Sequence, residues 1–363
     1  MKTFQPLLTL ALLLIFVSSD LYGQLTVPRT SPPASVTQTV GVTKITIDYS
    51  RPSVNGRELW GNLVPYGMNN LGFGTAVTSP WRAGADENTT IKFTHDVSIE
   101  GKPVEQGKYG FHVVVNPNNT ATIILSKDSD SWGSFFYNPA QDVVRVDIQT
   151  INVPFTEQLQ YTFRDVTSNS AEALLSWGEK GFPFKIETNT TANVLAQFRQ
   201  GTKGSMGFNR QNWEQAAAYS LNNGGDPEEA LKWINMAIEG QFFSQKNVNN
   251  LAIKARILKK LGREQEYNQT LNEAVAIADQ VQLNNLGYQM MTAKDFEKAK
   301  KFFEMAIEKD PNNANAYDSM GEYYKTVGNK EMAIKFFKKA LAKNPPPNVK
   351  ASSERHLKDL GAL

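Results

Sequence analysis

The sequence predicts two domains of different class: an all-β antiparallel sandwich in the N-terminal half and an all-α solenoid of helical repeats in the C-terminal half. Short runs with period-two alternation fill the first half. After about residue 190, Ala, Glu, Lys, Leu and Gln at helical spacing replace them. A pattern of small and aromatic residues then recurs at a constant interval. These three observations set the fold class.

The β prediction rests on short runs separated by turn signals. In residues 43–49, Ile45 and Ile47 fall on one face while Thr46 and Asp48 fall on the other. Turn-forming clusters such as Gly178-Glu179-Lys180-Gly181 lie between the runs. Many short strands without intervening helices favour an antiparallel sandwich or barrel. The expected strands cover residues 43–49, 90–94, 108–115, 121–126, 143–150, 159–166, 171–177 and 182–187.

In the C-terminal half, five positions recur with the same offset. Gly287, Ala299, Phe303, Ala306 and Pro311 return as Gly321, Ala333, Phe337, Ala340 and Pro345. The pattern resembles the tetratricopeptide repeat (TPR), in which small residues let paired helices approach closely. Weaker copies at residues 213–237 and 248–279 give two strong and two degenerate repeats, followed by a capping helix near residues 352–360.

The changes in composition and period give the expected domain bounds. They are a signal peptide at 1–23, a β-sandwich at 24–188, a connecting helix and glycine-rich linker at 189–209, TPR-like repeats at 210–345 (strongest at 280–345), and a C-terminal capping helix at 346–363.

The N-terminus has the pattern of an export signal. Lys2 precedes an apolar stretch from Leu7 to Val17, which is shorter than the roughly 18–20 residues that span a bilayer. Cleavage after Gly23 would leave Gln24 as the first residue; the alternative is an uncleaved anchor. We expect an exported protein of the periplasm or cell envelope, or a secreted one, with no transmembrane segment in the mature chain.

Composition excludes several classes of function. The 363 residues contain 38 basic and 36 acidic side chains, so the net charge of +2 gives no bulk attraction to nucleic acid. The absence of cysteine excludes disulfides, thiolate metal sites and cysteine nucleophiles. With three histidines in the chain, we expect no metal site and no cofactor.

The β half also carries a family signature. It consists of the segments Tyr49-Ser50-Arg51-Pro52, Gly56-Arg57, Trp60-Gly61, Leu63-Val64-Pro65-Tyr66-Gly67, Trp81-Arg82-Ala83-Gly84-Ala85-Asp86-Glu87, Gly107-Lys108-Tyr109, Trp132-Gly133, Tyr137 and Asp142-Val143-Val144-Arg145-Val146. From about Ser31 to Glu187 the chain thus resembles the bacterial domain of unknown function 2911 (DUF2911). The resemblance implies an exported protein of Bacteroidota-like bacteria, often with TPR repeats behind this domain, and implies no reaction. An insertion at residues 69–79 departs from the family spacing.

Arginine, aromatic and acidic residues of this signature form the candidate ligand site. Guanidinium groups bind carboxylates or phosphates, and aromatic rings stack on sugars or apolar rings. The alternative is that Arg–carboxylate pairs fasten long loops to the rim of the sandwich. The candidates are Tyr49, Arg51, Arg57, Trp60, Tyr66, Trp81, Arg82, Asp86 and Glu87.

Two arrangements that suggest catalysis or metal binding also have structural interpretations. Asp86 and Glu87 could serve a hydrolase, although neighbours in an extended segment are expected to project to opposite sides. A hairpin centred near Pro103–Val104 would place His95 opposite His112, which is half a metal site without a third ligand.

Sequence motifs of known catalytic sites are missing. The chain has no Gly-rich phosphate loop, Gly-x-Ser-x-Gly elbow or His-Glu-x-x-His helix. Ser126, Ser131 and Ser134 have no histidine at a recognisable spacing. The lysine-rich run at 294–301 is interrupted by acids and is typical of a solvated helix face, so we expect no nucleic-acid partner.

The first helices of stacked repeats line a concave groove that can accept an extended or helical peptide. The repeat register places six residues there: Asn284, Tyr288, Met291, Asp318, Glu322 and Lys325. The sequence therefore favours a non-catalytic protein whose repeats bind a protein or peptide and whose β domain binds a small ligand or docks on a partner. The alternative is an envelope hydrolase or carbohydrate-processing enzyme using Asp86 or Glu87 with the arginine and tryptophan residues.

Overall fold

The computed structural model describes residues 27–363, which form two compact units that meet in sequence at Thr190 and Thr191. The expected signal peptide and its cleavage site lie outside the described residues. The segment expected to connect the halves belongs, from Thr191 onward, to the helical unit. No helix in the described part of the chain has the length and apolar content needed to cross a bilayer.

The first unit consists of antiparallel strands that form two sheets. The strands of the described residues are β1 Pro33–Val40, β2 Thr43–Ser50, β3 Thr90–Phe93, β4 Val97–Ile99, β5 Lys102–Val104, β6 Gly107–Val115, β7 Thr120–Ser126, β8 Asp142–Gln149, β9 Ile151–Arg164 and β10 Ser170–Thr188. The six-stranded sheet has the order β1-β2-β3-β6-β7-β8, and the four-stranded sheet has the order β5-β4-β10-β9.

One apolar core lies between the sheets. Phe111 of β6 packs against Tyr161 of β9 and Phe184 of β10, with ring centroids 5.8 and 5.3 Å apart. The alternation expected in β2 is confirmed, because Ile45 and Ile47 are fully buried in this core. The predicted β-sandwich is therefore confirmed.

The predicted turn at Gly178–Gly181 is wrong, because β10 runs through it without interruption. The pairing of β10 with β9 shifts register between Ser176 and Gly178 and again before Lys180. Gly178 has a φ of +58°, a left-handed conformation that glycine adopts readily, and a bulge of this kind bends a strand without ending it.

The predicted pairing of His95 with His112 is also wrong. Strand β3 pairs Thr90 with Gly110, so the connection is centred three to four residues earlier than expected. Strands β4 and β5 occupy this connection and pair within the other sheet. His112 consequently lies opposite Ile124 of β7, and His95 lies outside the strands. No group of three or more potential metal ligands occurs among the described residues.

The second unit is a run of helices packed against their chain neighbours. Contacts between the first helices of successive pairs complete the stack. The helices are α1 Thr190–Gly201, α2 Arg210–Asn222, α3 Pro227–Glu239, α4 Val248–Lys260, α5 Glu264–Ile277, α6 Gln280–Thr292, α7 Phe296–Lys309, α8 Ala314–Thr326, α9 Lys330–Leu341 and α10 Pro347–Asp359.

The recurring small residues lie where paired helices touch. A Cβ atom on Gly287 of α6 would lie 2.6 Å from the Phe303 ring of α7, and one on Gly321 of α8 would lie 2.6 Å from the Phe337 ring of α9. Both rings are fully buried. The constant repeat interval thus reproduces one contact in successive pairs, and the predicted helical solenoid is confirmed.

Candidate functional site

A cavity of about 490 Å³ lies in the β unit and is bordered by loops rather than by the faces of the sheets. Four of the nine expected site residues line it: Arg57, Trp81, Arg82 and Asp86. The remaining five lie behind its walls or in the neighbouring loops.

Arg82 is the central polar group of the cavity. Its Nη1 donates a hydrogen bond to the backbone carbonyl of Asp86, and its guanidinium carbon lies 5.0 Å from the centroid of the Phe135 ring. Burial lowers the pKa of Arg82 because the charged form is incompletely solvated. Within residues 27–363, no carboxylate forms an ion pair with this guanidinium. The cavity therefore contains a half-buried cation that forms no ion pair in the described part of the protein.

Tryptophan rings form another part of the wall. Trp81 stacks on Trp177, with centroids 5.9 Å apart and planes 14° apart. Trp60 packs edge-on against both rings from behind the cavity. The Nε1–H of Trp177, a residue that lines the cavity and is 2% exposed, has no acceptor in the described part of the protein. The wall thus provides a second unpaired donor.

Two of the arginines fasten loops. Arg51 lies outside the cavity and donates from Nε to the carbonyl of Leu159, 2.9 Å away. Arg57 lines the cavity but donates to the carbonyls of Val54 and Ser53. Tyr49 of β2 is buried in the core, where its hydroxyl oxygen accepts from the backbone N–H of Tyr161. Arg82 therefore fits the ligand-binding interpretation, whereas Arg51 and Arg57 fit the structural one.

The expectation that Asp86 and Glu87 project to opposite sides is wrong. Asp86 has a φ of +59°, so the backbone is folded rather than extended, and both carboxylates reach Arg29. Arg29 binds Asp86 Oδ2 at 2.9 Å and the two oxygens of Glu87 at 2.9 and 2.6 Å. These hydrogen bonds lower the pKa of Glu87. Glu87 lies in a neighbouring shallow recess with Tyr49, not in the cavity.

The inserted loop at residues 69–79 forms part of the border. Reciprocal backbone hydrogen bonds between Asn69 and Ser79, of 2.9 and 2.8 Å, close its base. Asn69, Leu71 and Ser79 line the cavity, while Phe73 packs edge-on against Phe135. Tyr66 lies before this loop and is 39% exposed.

Sequence reasoning missed a serine–histidine contact in the wall. Ser134, which lines the cavity, places its Oγ 3.1 Å from Nδ1 of His112. His112 is 2% exposed, and burial together with the charge of Arg82 lowers its pKa to about 4. The contact depends on a loop folding back over β6, which the separation of the two residues in sequence does not reveal.

The six groove positions lie where first helices of successive repeats meet. Tyr288 donates from its hydroxyl to Glu322 at 3.0 Å, and Lys325 donates to Asp359 of α10 at 3.0 Å. Asp318 accepts from Ser353 of α10. Asn284 is buried, and Met291 is half-buried against the helical core. Tyr288, Asp318, Glu322 and Lys325 therefore join neighbouring helices, and the expected groove remains a prediction for these six residues.

The unit that contains the cavity matches a known family. Residues 31–186 match the family "Protein of unknown function (DUF2911)". Residues 302–335 match the tetratricopeptide repeat. Both resemblances noted from the sequence are thereby confirmed. No curated protein matches the chain.

Solved structures are similar to part of the chain. The "Crystal structure of MamA" is 20% identical, covers 43% of this chain and 89% of its own, and has a TM-score of 0.30. The "Crystal structure of YrrB: a TPR protein with an unusual peptide-binding site" is 18% identical, covers 46% and 84%, and has a TM-score of 0.29. A structure titled "Functional Characterization of Pseudomonas Aeruginosa pilF" is 19% identical, covers 41% and 68%, and has a TM-score of 0.29.

Other DUF2911 signature residues brace the loop that carries Ser134. Tyr137 donates from its hydroxyl to Asp142 at 2.6 Å, and Arg145 donates to the same carboxylate at 2.8 Å. Burial and the Asp142 carboxylate raise the pKa of Tyr137. In the DUF2911-like unit, the signature residues therefore divide into those that line the cavity and those that hold its loops.

Proposed function

We propose that this is an exported, non-catalytic binding protein in which the DUF2911-like unit binds a small molecule and the TPR unit binds a protein or peptide. The TPR fold supports a protein-interaction role. The observation that carries the small-molecule part is the cavity of about 490 Å³, which is lined about equally by apolar and polar residues and includes the charged side chains Arg57, Arg82 and Asp86. Cavities of this size are typical of ligand sites.

The hydrolase alternative used Asp86 or Glu87 as acid, base or nucleophile. Arg29 engages both carboxylates, and Glu87 lies in the neighbouring recess. A general acid needs a raised pKa, whereas the pKa of Glu87 is lowered. We therefore propose binding rather than hydrolysis at this site.

The cavity can be tested by filling it. Ala85 lines the cavity and is only half-buried, so Ala85→Trp should occlude it without overpacking the core. Ala140→Trp places the same ring on an exposed turn and is the control. In a thermal-shift screen of the purified chain with sugars, organic acids, amides and phosphates, a ligand should raise the melting temperature of the control but not of Ala85→Trp. A ligand that stabilises both variants equally binds elsewhere and contradicts the proposal.

The repeat surface can be tested by site-specific photo-crosslinking in cells. Gln289 is exposed on the first helix of its pair, and Lys301 is exposed on the second helix. A photoreactive residue at 289 should give a discrete protein adduct, and one at 301 should not. Adducts of equal yield from both positions would contradict binding at the first-helix face.

Export is proposed from the N-terminal sequence alone. The mass of the protein recovered from the cell envelope or medium should correspond to a chain beginning at Gln24. Recovery of the full 363-residue chain from the cytoplasm would contradict it.

A further inference from the structure

Arg82 indicates the chemistry that the cavity can bind. Its Nη1 donates to a backbone carbonyl, and no carboxylate of the described residues forms an ion pair with it. The guanidinium is half-buried and therefore incompletely solvated, and a negatively charged acceptor relieves that cost.

The nearest carboxylate is held away from Arg82 by a second arginine. Asp86 offers Arg82 only its carbonyl oxygen, because its carboxylate binds Arg29 at 2.9 Å. Arg29 also binds both oxygens of Glu87. One guanidinium on the segment before β1 thus pairs with two carboxylates beside the cavity, and the three groups together keep one negative charge. Because the Asp86 carboxylate is engaged by Arg29, it forms no ion pair with Arg82, and Arg82 can bind an anion.

We propose that the cavity binds a small organic anion of the carboxylate type through Arg82, and that Arg29 keeps Arg82 available by holding the carboxylates of Asp86 and Glu87. This inference rests on the proposed small-molecule site and names its ligand class. The positioning role belongs to Arg29, which does not line the cavity itself.

The lining favours an anion with an apolar part. Leu63, Leu71 and Pro80 contribute to the walls, and Leu63 and Leu71 are 42% and 40% exposed at the border. A guanidinium binds a carboxylate through two parallel hydrogen bonds, and the apolar part of the ligand can cover these side chains. Arg57 also lines the cavity, but two of its nitrogens bind the carbonyls of Val54 and Ser53, so Arg82 is the guanidinium that we assign to the ligand. One such group suits a singly charged carboxylate better than a doubly charged phosphate.

Pairs of isosteric probes distinguish recognition of the ligand's charge from recognition of its shape. Binding of benzoate and hexanoate to the full chain is measured by calorimetry beside benzamide and hexanamide, with phenyl phosphate as a dianion. We expect each carboxylate to bind at least about tenfold more tightly than its amide. This difference in affinity corresponds to one charge-assisted hydrogen-bonded contact with Arg82. Arg82→Gln should abolish the difference, and Arg82→Lys, which keeps the charge, should retain part of it.

The role of Arg29 is tested by removing and then restoring the charge balance. Arg29→Gln should weaken carboxylate binding, because the released Asp86 carboxylate can pair with Arg82 and repel the ligand. The triple variant Arg29→Gln/Asp86→Asn/Glu87→Gln should recover it. Arg164→Gln removes another exposed Arg–Glu pair of the β unit and should change nothing.

Each contrary outcome has a distinct meaning. Equal affinity for amides and carboxylates overturns the anion assignment and leaves the small-molecule site standing. Preference for phenyl phosphate over both carboxylates overturns the carboxylate class. Unchanged binding in Arg29→Gln overturns the positioning role. If none of the probes binds, the carboxylate inference fails, and the thermal-shift comparison of Ala85→Trp with Ala140→Trp decides separately whether the cavity is a small-molecule site. Should Arg82→Gln not fold, the Arg29 series and Arg82→Lys still decide between these outcomes.

Discussion

At Asp86, the conformation of one residue determines which charges lie beside the cavity. A φ of +59° turns the backbone so that two consecutive carboxylates reach Arg29. Aspartate adopts this left-handed conformation more readily than most residues, because its short side chain bonds locally. An extended segment would have separated the carboxylates, and Arg82 would then have faced an unpaired acid.

Asp86 itself provides a test of this conformation. Asp86→Gly removes the carboxylate but keeps the backbone free to adopt a positive φ. Asp86→Val removes the carboxylate and also disfavours the positive φ. We expect Asp86→Val to lower the free energy of unfolding by about 1–2 kcal/mol more than Asp86→Gly, since a β-branched residue is strained there. Denaturant titrations of the two variants measure the difference. Equal stabilities would contradict a strained position.

Burial controls the protonation of His112 in the folded chain. Its folded pKa of about 4 lies below the ordinary value of 6.5. The unfolded chain therefore takes up this proton at higher pH than the folded chain. The contribution of neutral His112 to stability is present above pH 6.5 and is lost as the pH falls from 6.5 toward 4, by about 3 kcal/mol in total.

We expect the His112 ring resonances to keep their neutral positions from pH 8 down to about 5. NMR titration of the chain, with His112→Gln to assign the signal, measures this. Titration of His112 near pH 6.5 would show that its ring is solvated and would contradict the buried contact with Ser134.

At the scale of the element, close contacts between helices depend on glycines that are needed for space and not for an unusual φ. Gly321 lies inside α8, where alanine would ordinarily favour the helix by about 1 kcal/mol. Here the added methyl group would lie 2.6 Å from the Phe337 ring. The steric cost therefore exceeds the gain in helix propensity.

Gly321→Ala should reduce the free energy of unfolding by about 1–3 kcal/mol, as overpacked cores do. Adding Phe337→Leu should recover part of the loss, because the smaller side chain makes room for the methyl group. Asn315→Ala, at an exposed position of the same helix, is the control and should change stability by less than about 0.5 kcal/mol. Losses that simply add in the double variant would contradict the contact.

The bulge in β10 shows where local patterns fail at this scale. Two glycines flanking Glu179 and Lys180 carry a turn signature, yet β9 supplies partners on both sides and the strand continues. Pairing between strands distant in sequence decides this, and residue type does not encode it. The same limit explains the misplaced hairpin, since β4 and β5 leave one sheet for the other between β3 and β6.

At the scale of the whole molecule, periodic features could be predicted from the sequence and non-periodic ones could not. Alternation located β2, and the constant repeat interval located the pairs α6–α7 and α8–α9. Trp81 and Arg82 were among the residues expected around a ligand site, and both line the cavity. Arg29 was missed because it precedes the first strand, where no pattern marks it, and the contact of Ser134 with His112 was missed because only the folded loop creates it.

The helical unit should lose stability locally when its last helix is removed. Helix α10 covers Phe337 through His356, with ring centroids 4.9 Å apart, and Leu357 packs in the same cluster. In stacked repeats each unit contacts its neighbours, so deletion of residues 346–363 should abolish hydrogen-exchange protection in α8 and α9 and leave α2 to α5 protected.

Hydrogen exchange with mass spectrometry measures this pattern. A chain ending at Leu360, which keeps α10, is the matched control. Uniform loss of protection from α2 to α9 would contradict stacking by nearest neighbours and would indicate that the helices unfold as one cooperative unit.

The hydrogen bonds between first helices have a consequence for how the array can evolve. Three junctions use three different pairs: Asn250 with Glu214, Tyr288 with Glu322, and Lys325 with Asp359. Duplication or loss of one whole repeat by recombination would preserve every helix and still join mismatched partners. The repeats are therefore not interchangeable, and this opposes changes in the number of repeats.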